Sequence, residues 1–145
     1  MNMPINTPLS FKIMIVDDNE FYTKIVSRFL SNNLKKLATI KGFALEIIAC
    51  SSYKCFSEKI DATVDLLFTD YYLNDGYNGK HILDFIKNKL LKCKVVVVSQ
   101  VETLQTAFLT SLAGAYEFIK KDENTLYECN GIAESIIKEK LSILN

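Results

Sequence analysis

Four valines stand in a row, Val95–Val98, and end at Ser99. β-Branched side chains are stiff at χ1 and pack well on a pleated surface, so this run reads as a strand. It shows no alternation with polar residues, so both of its faces are buried. Strands of that kind belong to parallel sheets covered by helices. The run Phe11-Lys12-Ile13-Met14-Ile15-Val16 before Asp17-Asp18-Asn19 reads the same way, as does Asp65-Leu66-Leu67-Phe68-Thr69-Asp70 before Asn74-Asp75-Gly76.

Helical spacing fills the intervals. Phe21, Ile25, Phe29 and Leu30 recur on one face after a cap at Asp18 or Asn19, and Gly42 marks a stop. Phe43–Cys50 is a second strand, and Ser51-Ser52 caps a short helix through Ile60. His81–Leu91 and Glu102–Leu112 are further helices, and Ala115–Ile119 is the fifth strand. A last helix runs from about Asn124 to Leu144, with a break expected near Gly131. Five strands alternating with five helices imply right-handed βαβ crossovers and a doubly wound α/β fold.

At 145 residues the chain is one domain. Its net charge is zero, so neither nucleic acid nor an anionic membrane is expected as a direct partner. No apolar run is long enough to span a bilayer. Residues 1–10, with Pro4 and Pro8, read as a loose leader lacking a signal-peptide core, and 11–145 as the domain. A cytoplasmic location is expected. Cys50, Cys55, Cys93 and Cys129 form no CxxC pair, and His81 is the single histidine. Zinc is therefore poorly supported, and free thiols are expected.

The polar residues that follow each strand carry the chemistry. The first strand ends in Asp17-Asp18, the third in Asp70 and the fourth in Ser99, and Lys121 follows the fifth. Open parallel sheets bind ligands at the carboxyl ends of their strands. Two carboxylates about 5 Å apart repel by roughly 3 kcal/mol at an effective dielectric near 20. Such a cluster needs a cation. Lys121 supplies one charge, and a hard divalent ion such as Mg²⁺ suits the remaining oxygen donors.

Four segments resemble the receiver domains of two-component response regulators, similar to the single-domain chemotaxis regulators. They are Ile13–Glu20, Asp65–Asp70, Val95–Ser99 and Gly114–Lys121, and the likeness spans Phe11 to about Leu144. The resemblance implies a flavodoxin-like sheet of order 2-1-3-4-5. It implies Asp70 as phosphoacceptor, taking a phosphoryl group from a phosphohistidine of a sensor kinase or phosphotransfer protein, or from a small acyl phosphate. Asp18, Asp70 and the Tyr72 backbone carbonyl would hold Mg²⁺, with Asp17 acting through water. Lys121, chosen over Lys120 by its distance from Gly114, would pair with Asp70 and then with a phosphoryl oxygen. Ser99 would donate to the phosphoryl group, and Phe118 would rotate to remodel a partner-binding face. No enzymatic turnover beyond the domain's own phosphorylation and dephosphorylation is implied. With one helix beyond Lys121, no output domain is expected within this sequence, so it would dock a downstream protein or pass the phosphoryl group on, either as a single-domain protein or as one domain of a larger one.

The sequence departs from that family at three places. The loop Tyr71–Gly79 lacks a proline and is longer by one residue. Extra residues lie around Leu34–Gly42, as a lengthened first helix or loop. Gln100 takes the place of a small residue and, with Tyr72, is expected to shield the acyl phosphate or slow its formation. Two other functions compete. One is a phosphorylation-independent interaction domain on the same scaffold. The other is a phosphohydrolase with an aspartyl nucleophile, which wants an acid two residues beyond Asp70, where Tyr72 stands.

Overall fold

The computed structural model describes residues 9–100 and 103–144. Of the leader expected over residues 1–10, Met1–Pro8 lie outside the described residues, as does the helix start expected at Glu102, whereas Leu9 and Ser10 belong to the first strand. In chain order the elements are β1 (Leu9–Val16), α1 (Glu20–Lys41), β2 (Phe43–Cys50), α2 (Tyr53–Lys59) and β3 (Leu66–Asp70). Then come α3 (Gly79–Asn88), β4 (Lys94–Ser99), α4 (Leu104–Leu112), β5 (Glu117–Lys120) and α5 (Thr125–Leu144). The strands pair in parallel in the order β2-β1-β3-β4-β5.

The valines of β4 show why the run is unbroken. Val96 and Val98 pack into one core layer, against Val26, Leu30 and Leu34 of α1 and Ala133, Ile136 and Ile137 of α5. Val95 and Val97 enter the other layer, against Phe56 of α2 and Ile82, Leu83 and Ile86 of α3. Each such side chain stabilises the fold by about 1.5–3 kcal/mol on burial. The edge strand β2 alternates more, as a strand half open to water does.

Asp65, just before β3, fixes that strand's register. Its carboxylate accepts the Lys12 N–H at 2.9 Å and the Lys140 ammonium at 2.9 Å, while Lys140 also donates to the Ser10 carbonyl at 2.7 Å. Ile13 then faces Leu66, and β3 ends at Asp70.

Helix boundaries follow their caps. Asn19 accepts the Tyr22 N–H at 3.0 Å and starts α1, which runs 22 residues to Gly42 at φ 71°. The extra residues of this region are therefore helix rather than loop. α3 stops at Asn88, earlier than expected, because Leu90 turns left-handed at φ 55° and Leu91 closes onto the Ile86 carbonyl at 3.0 Å. α5 continues through Gly131 without the expected break. Gly131 is exposed and packs on nothing, so its missing side chain leaves the buried face of α5 intact.

Candidate functional site

β1 and β3 are neighbours at the point where the sheet's winding reverses, and a crevice opens there beyond their carboxyl ends. Asp17 and Asp18 follow β1, and Asp70 is the last residue of β3. Their carboxylates each present an oxygen, and these oxygens all lie within 4.8 Å of one another. Asp17 is buried, and its backbone N–H donates to the Cys50 carbonyl at 3.0 Å. Its Oδ1 accepts the Asn19 N–H at 2.9 Å, which aims the other oxygen across the crevice.

Lys121 leaves the end of β5 and reaches back over the rim. Its backbone N–H donates to the Ser99 carbonyl at 2.8 Å. Its ammonium donates to Asp17 Oδ2 at 2.6 Å and stands 3.6 Å from Asp70 Oδ2. The expected pairing with Asp70 is thus present, but Asp17 takes the shorter bond. The ammonium also sits 4.3 Å from the ring centre of Tyr22, a cation–π arrangement. Sequence reading missed Tyr22. Its position in the first turn of α1, one turn beyond Asp18, is the signal that could have found it.

Burial pushes the Asp70 carboxyl up to about 6; Lys121 opposes this, and the charges of Asp17 and Asp18 reinforce it. Asp18 is raised as well, by burial first and then by its neighbour Asp17. In both groups burial leads, and Lys121 does not cancel the upward push that burial and the neighbouring carboxylates give. The donor set fits a hard cation. Mg²⁺ takes oxygen ligands and keeps several waters, and Asp18 and Asp70 would hold it directly with Asp17 close by. The cavity between Asp17, Tyr22, Asp70 and Cys129 is about 10 Å³, room for one water at most and too small for an organic substrate.

The remaining expected residues fall around this centre. Ser99 is buried at the end of β4, two strands from β1. Tyr72 forms an isolated antiparallel bridge with Asn78, and its side chain is exposed. The bonds of that bridge run from Leu73 N–H to the Tyr77 carbonyl and from Gly79 N–H to the Tyr71 carbonyl. The Tyr72 carbonyl takes no part in them and stays available to a ligand. Phe118 lies in β5 opposite Val97, half-buried in the layer that α2 and α3 cover. Gln100 is exposed just past Ser99. His81 is exposed in the first turn of α3, where its Nδ1 accepts the Asn78 N–H at 3.0 Å and completes a capping box.

No family model and no curated protein sequence matches the chain. Solved structures do. A two-component response regulator from Clostridium difficile is 19% identical, with a TM-score of 0.74 over 88% of this chain and 96% of that one. A CheY-like response regulator receiver domain protein from Methanospirillum hungatei is 22% identical, with a TM-score of 0.69 over 91% and 98%. A response regulator receiver domain protein from Clostridium thermocellum is 24% identical, with a TM-score of 0.66 over 92% and 98%. With its five-stranded order and its acidic rim, the chain has the fold of a response regulator receiver domain.

Proposed function

We propose that the chain is a phosphorylation-controlled signalling module and that Asp70 is its phosphoacceptor. One observation carries the reading. Three carboxylates from two adjacent strand ends share a crevice with one ammonium, which contacts two of them.

An Asp70 carboxylate oxygen attacks phosphorus in a phosphohistidine of a sensor kinase or phosphotransfer protein. An O–P bond forms, the N–P bond breaks, and the histidine ring leaves. Mg²⁺, when held by Asp18, Asp70 and the Tyr72 carbonyl, with Asp17 acting through water, offsets charge on the transferring group. Lys121 shifts from Asp17 and Asp70 toward a phosphoryl oxygen. Ser99 donates its hydroxyl to another. That draws the chain after β4 inward, and Phe118 moves into the space released. The readout surface is the face of α4, β5 and α5, where Phe108, Leu112 and Tyr116 are exposed. A downstream protein docks there, and the domain turns over no other substrate. No described helix is long and apolar enough to cross a membrane, consistent with a cytoplasmic module.

Acetyl phosphate with Mg²⁺ tests the reading. Wild type is expected to gain about 80 Da, the mass of one phosphoryl group, and Asp70→Asn none. No gain on wild type favours a phosphorylation-independent interaction domain. Sustained release of phosphate from a phosphoester, dependent on Asp70, favours a hydrolase.

A further inference from the structure

Two of the four cysteines touch, at the end of β2 beside the acidic crevice. β2 ends at Cys50, and after Ser51 the Ser52 hydroxyl oxygen caps α2 by accepting the Cys55 N–H at 3.0 Å. That cap folds the first turn of α2 back over the end of the strand. The Cys55 thiol donates to the Cys50 sulfur at 2.7 Å, closer than ordinary van der Waals contact between two sulfurs. Cys50 is 2% exposed, while Cys55 is half-buried. Cys55 is therefore the less buried sulfur of the pair and the one that meets an oxidant first.

We propose that Cys50 and Cys55 form a peroxide-oxidisable dithiol that closes to an intramolecular disulfide. The Cys55 thiolate attacks one peroxide oxygen, the O–O bond breaks, and hydroxide leaves with the proton that Cys55 gave up. Cys55 is then a sulfenic acid. The Cys50 sulfur attacks the Cys55 sulfur, the S–O bond breaks, and the Cys50 proton leaves with the hydroxide as water. In sum, two thiols and one hydrogen peroxide give one disulfide and two waters. A thiol reductant reverses the change.

The position gives the bond a consequence. The Cys50 carbonyl holds the Asp17 N–H at 3.0 Å. On the other side, Tyr53 stacks on Tyr77 at 4.0 Å and the Lys54 N–H donates to Asp75 at 3.4 Å. The disulfide thus staples a strand end beside Asp17 to the helical turn that carries the loop after Asp70.

The test treats the full chain with one equivalent of hydrogen peroxide, caps remaining thiols with N-ethylmaleimide, and reads mass before and after trypsin. Wild type is expected to lose about 2 Da on oxidation, the mass of two hydrogens. Cys93 and Cys129 are expected to be capped. The tryptic peptide 42–54 is expected joined to 55–59, and dithiothreitol should part them. Cys55→Ser should abolish the loss. The proposal is overturned by full capping of Cys50 and Cys55, by oxygen added to Cys55 without a crosslink, or by bridges through Cys93, Cys129 or a second chain forming first. Persistence of the loss in Cys55→Ser also overturns it.

Discussion

Lys121 Nζ lies 2.6 Å from Asp17 Oδ2, an ion pair that joins the ends of β5 and β1 across the whole acidic crevice. The same ammonium stands a full ångström farther from Asp70, at 3.6 Å. The charge that holds the crevice together is thus spent mainly on the buried neighbour. The proposed nucleophile is left with the weaker contact, so Lys121 does not cancel the upward push that burial, and then Asp17 and Asp18, give its pKa.

A pH dependence follows in the metal-free protein. The native Asp70 carboxyl titrates at about 6 against an ordinary value of 3.8, so the folded state binds its proton more tightly than the unfolded chain does. This group's stabilising contribution is full below about pH 4 and is lost as pH rises through 6. The difference is worth at most about 3 kcal/mol, and solvent at the rim leaves roughly half of that. Asp70→Asn is therefore expected to be more stable than wild type by about 1–2 kcal/mol at pH 7.5, with the gain gone at pH 4. Urea unfolding at the two pH values checks it, and a pH-independent difference would refute it.

Mg²⁺ should reverse that penalty. A cation that binds the folded state alone stabilises by about 2.7 kcal/mol at a concentration 100 times its Kd. Thermal unfolding of wild type in Mg²⁺ is expected to shift upward by several degrees, and Asp18→Asn is expected to lose most of the shift. Equal shifts in both proteins would remove Asp18 from the donor set.

Removing the ammonium strands the acids. Lys121→Met leaves the buried Asp17 carboxylate without its ion pair and is expected to lower stability by about 3 kcal/mol. Asp17→Asn in the same chain should restore most of the loss. A double-mutant cycle by urea unfolding reads the coupling, and additivity within about 0.5 kcal/mol would show that the pair is not coupled.

Gln100 and Tyr72 follow the ends of β4 and β3 with exposed side chains. If they screen the acyl phosphate from water, Gln100→Ala shortens its lifetime, followed as decay of the added phosphoryl mass in EDTA-quenched samples. Unchanged rates of both formation and decay would leave Gln100 without this role.

The architecture was readable because of burial on two sides. Val95–Val98 has no polar residue, and its side chains alternate between two core layers. Sequence narrows the caps to Asp18 or Asn19 and to Ser51 or Ser52, short polar side chains before a periodic segment, and the structure places them at Asn19 and Ser52. What the sequence withheld depends on rotamers and on contacts between distant segments. Nothing in Gly114–Lys121 says that the ammonium chooses Asp17 before Asp70, or that Tyr22 lies against it. The early end of α3 turns on one left-handed leucine, and leucine is a residue no pattern assigns to that conformation. The expected break at Gly131 erred because tertiary packing of α5 outweighs a glycine's weak helix propensity.

A hairpin turn would lock the alignment of its strands, but a parallel sheet has none. Here Asp65 does that work at the amino margin, gripping Lys12 and Lys140. Asp70 lies five residue steps along the strand from it, roughly 16 Å away. A slip of one residue would send Asp70 through the sheet to its opposite surface. The aim of the carboxylate at one margin is therefore calibrated from the other, and a change at Asp65 can misdirect chemistry it never touches.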